Sequence, residues 1–228
     1  MTEEEAFIQA IADKPADDTP RLIFADWLEE RGDPRAEFIR VQCALGQLSS
    51  EDSQRAELIG RQRELRRQHE PAWTAPLHGW VDEWEFERGL IERVTLTPFN
   101  FTLWADVLFR LAPVRHVHCY RRNHVTLKEI ESLAGSPYLS RLTALKLNTD
   151  RGIRDDAVRV LAASAGLTNL SCLDLSDNWI EDPGAALLAD SPHLERLDSL
   201  KLGRNRITRQ GKQLLRNRFG ERVSFWGE

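Results

Sequence analysis

Residues 170–180 read LSCLDLSDNWI, and residues 197–207 read LDSLKLGRNRI. Leu173, Leu175, Asn178 and Ile180 in the first stretch recur as Leu200, Leu202, Asn205 and Ile207 in the second, 27 residues later. Upstream, residues 142–153 (LTALKLNTDRGI) carry Leu145, Leu147, Asp150 and Ile153 in a looser copy with one inserted residue and Asp150 in the asparagine position. A period in this range marks a stack of small units, each unable to bury its apolar face alone. Leucines two apart on an extended strand point to one side, so stacked copies build a buried leucine row. The asparagine suits a tight turn, where its amide bonds backbone groups. Such a stack presents an extended surface, which predicts holding a partner rather than transforming a substrate.

Weaker copies extend the pattern in both directions. Val114, Val117 and Cys119 keep the register, Ile91, Val94 and Leu96 form an irregular first copy, and Val223 and Phe225 a truncated last strand. Helix signals follow each copy. Thr102 leads into Trp104, Val107, Leu108 and Leu111, and Thr126 into Leu127, Ile130 and Leu133. Asp155 or Asp156 opens a helix with Ala157, Val160 and Leu161; Asp182-Pro183 precedes Gly184, Leu187 and Leu188; Thr208 precedes Gly211, Leu214 and Leu215. These read as N-caps before spaced apolar residues. Ala112-Pro113, Ser136-Pro137 and Ser191-Pro192 end the helices. Over residues 90–226 the chain resembles the ribonuclease-inhibitor-like class of leucine-rich repeats. The resemblance implies an α/β fold: a right-handed solenoid of short parallel strands with outer helices. A doubly wound sheet would have longer, continuously apolar strands and often a glycine-rich phosphate loop, and neither is present.

The front of the chain reads differently. Phe7, Ala10 and Ile11 make a short helical stripe. Thr19-Pro20 starts a second helix, with Ile23, Phe24, Trp27 and Leu28 on one face, and Gly32-Asp33-Pro34 stops it. A third helix carries Phe38, Val41, Leu45 and Leu48; a fourth runs from about Glu51 to His69 and closes at Pro71. Four helices with short turns predict a small all-α unit. The blocks at residues 17–22 (DDTPRL), 25–34 (ADWLEERGDP) and 37–40 (EFIR) resemble the bacterial repeat-companion domain, which precedes repeats. That resemblance transfers no activity. Asp26 beside Trp27 reads as a surface acid next to a packed ring, since a lone carboxylate on a helix is no catalytic signal. The expected organisation is a helical unit at 1–70, a capping and linking segment at 71–89, and the solenoid at 90–228. In the linker, Trp80, Trp84 and Phe86 share one parity with Asp82, and Trp84-Glu85-Phe86-Glu87 alternates as a half-buried strand would. The rival reading is an aromatic cage for a cationic ligand.

An apolar content of 41% and a charged content of 29% describe an ordinary globular chain. No stretch approaches the ~18 apolar residues that span a bilayer, and the acidic start leads straight into an amphipathic pattern, which argues against export and for a cytoplasmic protein. Cys43, Cys119 and Cys172 are few, odd in number and widely spaced, as in a reducing compartment. Charge is uneven: residues 1–70 carry ten Lys/Arg against sixteen Asp/Glu, whereas Lys201–Arg222 holds eight basic residues and the single acid Glu221.

Positions alternating with the leucines face outward. They are Glu92, Arg93 and Thr95; Arg115, His116 and His118; Thr143, Ala144 and Lys146; Ser171, Cys172 and Asp174; and Asp198, Ser199 and Lys201. Thr95, His118, Lys146, Asp174 and Lys201 form one column, with strands about 4.8 Å apart, so Lys146, Asp174 and Lys201 can pair across the sheet. The column reads equally as a solvated charge ladder or as a polar recognition strip for a charged partner. Trp179, exposed after the repeat asparagine, is a candidate aromatic anchor. The candidate partner-binding residues are therefore Arg115, His116, His118, Lys146, Asp174, Trp179 and Lys201. His116, His118 and nearby His124 invite a metal, but no carboxylate or inward cysteine completes a set at ligand spacing. No catalytic constellation or cofactor motif is visible, so the expected function is non-catalytic protein binding without cofactor or metal. The alternative is polyanion or nucleic-acid binding through the basic Lys201–Arg222 segment.

Overall fold

Thr2 starts the first helix in the computed structural model, which describes residues 1–120, 125–149 and 152–225. Its hydroxyl accepts from Glu5 N (3.1 Å), and the Glu5 carboxylate accepts from Thr2 N (2.8 Å), a reciprocal capping box. Among the described residues the chain divides into two units: Met1–Arg93 with Val107–Val114, and Val94–Asp106 with Arg115–Glu228.

The first unit contains α1 (Glu3–Asp13), α2 (Thr19–Glu29), α3 (Arg35–Gln47), α4 (Arg55–Thr74) and the strand β1 (Glu83–Glu87). Ile8, Ile11, Phe24, Ala25, Leu28, Ala36, Ile39 and Cys43 form one core, against which Phe7 and Trp27 pack. Phe38, Val41 and Leu65 form a second, joined by Trp73 and Phe86. Two expectations are corrected here. Ile23 is 52% exposed, because α2 turns Phe24, Ala25 and Leu28 inward. Helix α4 runs through Pro71 to Thr74. Proline removes one ladder bond, but Trp73 beyond it packs on Phe38 at 5.1 Å, and this packing holds the last turn in place. Asp26 is paired with Arg40 at 2.7 Å, as a surface acid.

A two-residue turn, Arg88-Gly89, joins β1 to its neighbour β2 (Leu90–Leu96). Both turn residues have positive φ (50° and 88°), as the tight hairpin class requires. Gly89 is also obligatory sterically, since a Cβ there would lie 2.3 Å from Ile39 Cα. Along β2 only Arg93 is exposed. Glu92 and Thr95, expected to face outward, are buried; Glu92 is fully enclosed and ion-paired to the equally enclosed Arg21 of α2. The hairpin strand is covered on both sides, so the outward–inward alternation of the later repeats does not apply to it.

The second unit contains β3 (His116–Tyr120), α6 (Leu127–Ala134), β4 (Ala144–Asn148), α7 (Asp155–Ala162), β5 (Cys172–Asp174), α8 (Asp182–Asp190), β6 (Ser199–Lys201), α9 (Arg209–Phe219) and β7 (Val223–Ser224). Helix α5 (Pro98–Leu111) precedes β3. The strands β3 to β7 pair in parallel and in chain order, and α6 to α9 pack consecutively. The register places Val117, Leu145, Leu173, Leu200 and Val223 in one row, all buried.

Three side-chain ladders tie the copies together. Asn178, 1% exposed, donates to the carbonyls of Leu147, Leu175 and Ser176, and its Oδ1 accepts from Ile153 N and Thr149 Oγ1. Asn205 repeats this with the Leu175 and Leu202 carbonyls and Ile180 N. The residues before them, Asp177 and Arg204, take positive φ of 59° and 55°, which aims each asparagine inward. Ser164 and Ser191 donate to the carbonyls of Ala134 and Ala162, each closing the end of the preceding repeat's helix. The third ladder corrects an expected cap. Asp155 and Asp182 begin α7 and α8, but their carboxylates accept from Glu181 N and Thr208 N of the next copy. Glycine follows each at the point of contact, since a Cβ on Gly184 or Gly211 would lie 2.3 Å from that carboxylate oxygen.

Thr126 and Thr208 cap their helices as predicted. Thr102 does not: α5 begins at Pro98, and the Thr102 hydroxyl donates to the Pro98 carbonyl inside the helix. Trp104, Leu111, Leu127 and Leu214, placed in apolar stripes by their spacing, are 37–42% exposed. Asp150 and His124 lie outside the described residues.

Candidate strand face

Side chains that alternate with the leucines emerge on the half-exposed side of β3 to β6. The pairing register sets His118 beside Lys146, Lys146 beside Asp174 and Asp174 beside Lys201, the column expected from spacing alone. A second column runs His116, Ala144, Cys172 and Ser199. Arg115 begins a third row through its backbone: its carbonyl accepts from Thr143 N and Ala144 N, as the Thr143 carbonyl does from Ser171 N and Cys172 N. Arg115, His116, His118, Lys146, Asp174 and Lys201 are all half-buried. The structure thus brings these six together.

The expected ion pairing across the column is absent among the described residues. Asp174 Oδ1 instead accepts from Ser176 N at 3.0 Å, which orients the carboxylate along its own turn. Trp179 is half-buried rather than exposed, because the guanidinium groups of Arg154 and Arg206 lie 4.8 and 4.0 Å from its ring centre. Sequence spacing missed Arg154: it sits outside the strand template, and only the turn geometry delivers it to the indole.

Other candidate sites dissolve into packing. Phe86 packs edge-on to Phe38 at 5.2 Å, Trp84 Nε1 donates to Glu70, and Trp80 Nε1 donates to the Pro76 carbonyl, so the linker aromatics do not converge as a cage. In the first unit a groove of about 640 Å³ is lined by Arg55, Arg63 and Arg88. Arg55 is committed to the Leu45 and Leu48 carbonyls and Arg88 to Asp18. No cluster of His, Cys, Asp and Glu suited to a metal occurs among the described residues.

Cys172 makes the strand face chemically addressable. Cys43 and Cys119 are buried, and burial pushes the Cys43 thiol up to about 11 and the Cys119 thiol higher still. Cys172 is half-exposed. Since the thiolate is the reactive form, an aromatic disulfide reagent is expected to release a single rapid equivalent from the native chain. Cys172→Ser should release none until denaturant is added. Two or three rapid equivalents would contradict the burial of the other thiols.

A family model described as Leucine Rich repeat matches residues 166–189, which take in β5, the asparagine turn and all but the last residue of α8. That stretch is similar to a leucine-rich repeat. No curated protein matches the chain with significant similarity. No described helix is long and apolar enough to cross a membrane.

Proposed function

We propose that the chain is a non-catalytic protein-interaction scaffold of a bacterial cytoplasm. In this reading residues 90–228 form a right-handed leucine-rich-repeat solenoid of the ribonuclease-inhibitor-like type, behind a repeat-companion unit at 1–70 and a capping segment at 71–89. The partner docks on the concave strand face through Arg115, His116, His118, Lys146, Asp174 and Lys201, with Trp179 at its rim. One observation carries the reading: the polar column His118–Lys146–Asp174–Lys201 is in register on four adjacent strands and half-exposed, and among the described residues Lys146, Asp174 and Lys201 form no ion pair with one another. Concave faces of repeat arrays are where partners bind.

The basic C-terminal segment supports nucleic-acid binding less well. Arg204 pairs with Asp177, Arg206 with Glu181, Lys212 and Arg216 lie over Phe225, and Arg222 donates to the Leu197 and Phe219 carbonyls. These cations are spread over structural tasks rather than gathered on one stripe.

The test is affinity capture from native lysate with wild type, a Lys146/Asp174/Lys201 triple alanine variant, and a helix-side Lys128→Ala control. The expected result is a specific partner retained by wild type and control and lost with the triple variant. Equal recovery of every bound protein by all three would remove the strand face from the account.

A further inference from the structure

The strand face has a charge pattern that selects a kind of partner, and this step rests on the scaffold reading above. Asp174 is satisfied by Ser176 N, Asp177 by Arg204 and the Asn148 amide, and Glu181 by Arg206. Lys146, Lys201 and Arg154 have no carboxylate partner among the described residues, and the Arg154 guanidinium lies 4.8 Å from the Trp179 ring centre instead. A guanidinium stacked on a ring keeps its in-plane N–H donors available for a carboxylate while losing little further freedom. Asp177 and Glu181 are thus paired, Asp174 keeps its charge and Asp198 is exposed just before β6, so Lys146, Lys201 and Arg154 leave this side with an excess of one cation.

Spacing adds a second constraint. Lys146 and Lys201 flank Asp174 on alternate strands, so they stand two strand separations apart, about 9.6 Å. An extended polyproline-type segment has three residues per turn and rises about 3.1 Å per residue, so its side chains i and i+3 share a face about 9.3 Å apart. Carboxylates at those positions meet the two lysines, and an uncharged residue between them avoids Asp174. A nucleic-acid backbone, charged at every nucleotide, offers no uncharged position to set over Asp174.

We propose that the partner element is an acidic, extended protein segment with carboxylates at every third residue, lying across β4 to β6 over Lys146 and Lys201. The test uses a fluorescein-labelled (Glu-Pro-Pro) repeat peptide and fluorescence anisotropy at low ionic strength. (Gln-Pro-Pro) and (Glu-Pro) repeats and oligothymidylate serve as comparators. The (Glu-Pro-Pro) peptide is expected to bind and to shield Cys172 from thiol reagents, and the (Gln-Pro-Pro) peptide is not. Lys146→Gln with Lys201→Gln should raise Kd roughly tenfold, with Lys128→Gln unchanged. Asp174→Asn keeps the acceptor for Ser176 N and should tighten binding by roughly two- to threefold, a gain that misfolding cannot produce. Equal affinity for the (Glu-Pro) repeat, tighter binding of oligothymidylate, or a double variant that binds like wild type would each overturn the proposal. If no acidic peptide binds but the captured partner still depends on the strand face, the acidic segment is refuted while the scaffold reading stands.

Discussion

Glu92→Ala is expected to destabilise the chain by about 3–5 kcal/mol, because it strands a buried guanidinium without its counter-ion. Arg21 and Glu92 are both fully enclosed and bonded to each other. Arg21 also donates to the Pro15 and Asp17 carbonyls (both 3.1 Å), which fastens the α1–α2 connection to its helix. Removing the arginine should be similarly costly, since it leaves a buried carboxylate and two unserved carbonyls. The pair is not thereby a large net source of stability. Replacing both partners together, Arg21→Met with Glu92→Leu, removes both buried charges and should recover most of the loss, short of wild type by the two carbonyl bonds, about 1–3 kcal/mol. Urea unfolding followed by circular dichroism gives the order: wild type, then the double variant, then either single variant. A double variant less stable than both singles would show that the pair contributes favourably beyond its desolvation cost.

Asn178→Ala is expected to cost about 3 kcal/mol or more, because several buried backbone groups lose their partner together. One amide serves three carbonyls, one backbone N–H and the Thr149 hydroxyl, at a position that is 1% exposed. Asn205→Ala should cost about half as much, since its site is half-buried and water can replace part of what is lost. Asn178→Asp separates shape from chemistry: it keeps the acceptor but turns a carboxylate oxygen toward three carbonyls, and should be no better than alanine. Thermal unfolding of the three variants measures the series. An Asn178→Ala loss below that of Asn205→Ala would mean that the ladder is not carried by amide bonding.

Much of the second unit was legible from spacing. The leucine row follows from the period of two along a strand combined with the period of 27 or 28 between copies, and the pairing register then had to place Lys146, Asp174 and Lys201 side by side. The asparagine turn was legible for the same reason, because a local motif repeated in sequence makes the same local bonds. What spacing did not show were bonds from one copy to the next. Asp155 and Asp182 looked like caps for their own helices, and their carboxylates serve the following copy instead. Arg154 reaches Trp179 from outside the template, and no pattern in the sequence announces it.

The first unit was less legible. Four helices were predictable from apolar stripes and stop signals, yet Ile23 fell on the wrong side and Pro71 failed to end α4. Neither outcome is encoded locally. The rotation of α2 is decided by which face meets α1 and α3, and the last turn of α4 by where Trp73 finds Phe38. Glu92 was the largest departure, because a carboxylate reads as polar wherever it stands, and only the position of Arg21 makes its burial tolerable. By itself, then, the sequence determined the repeat, its strand register and the face on which polar side chains gather, since these follow from periodicity and short-range backbone geometry. The tertiary structure alone decided which charges are spent and which are left over, because an ion pair depends on residues distant in the chain arriving within a few ångströms of each other.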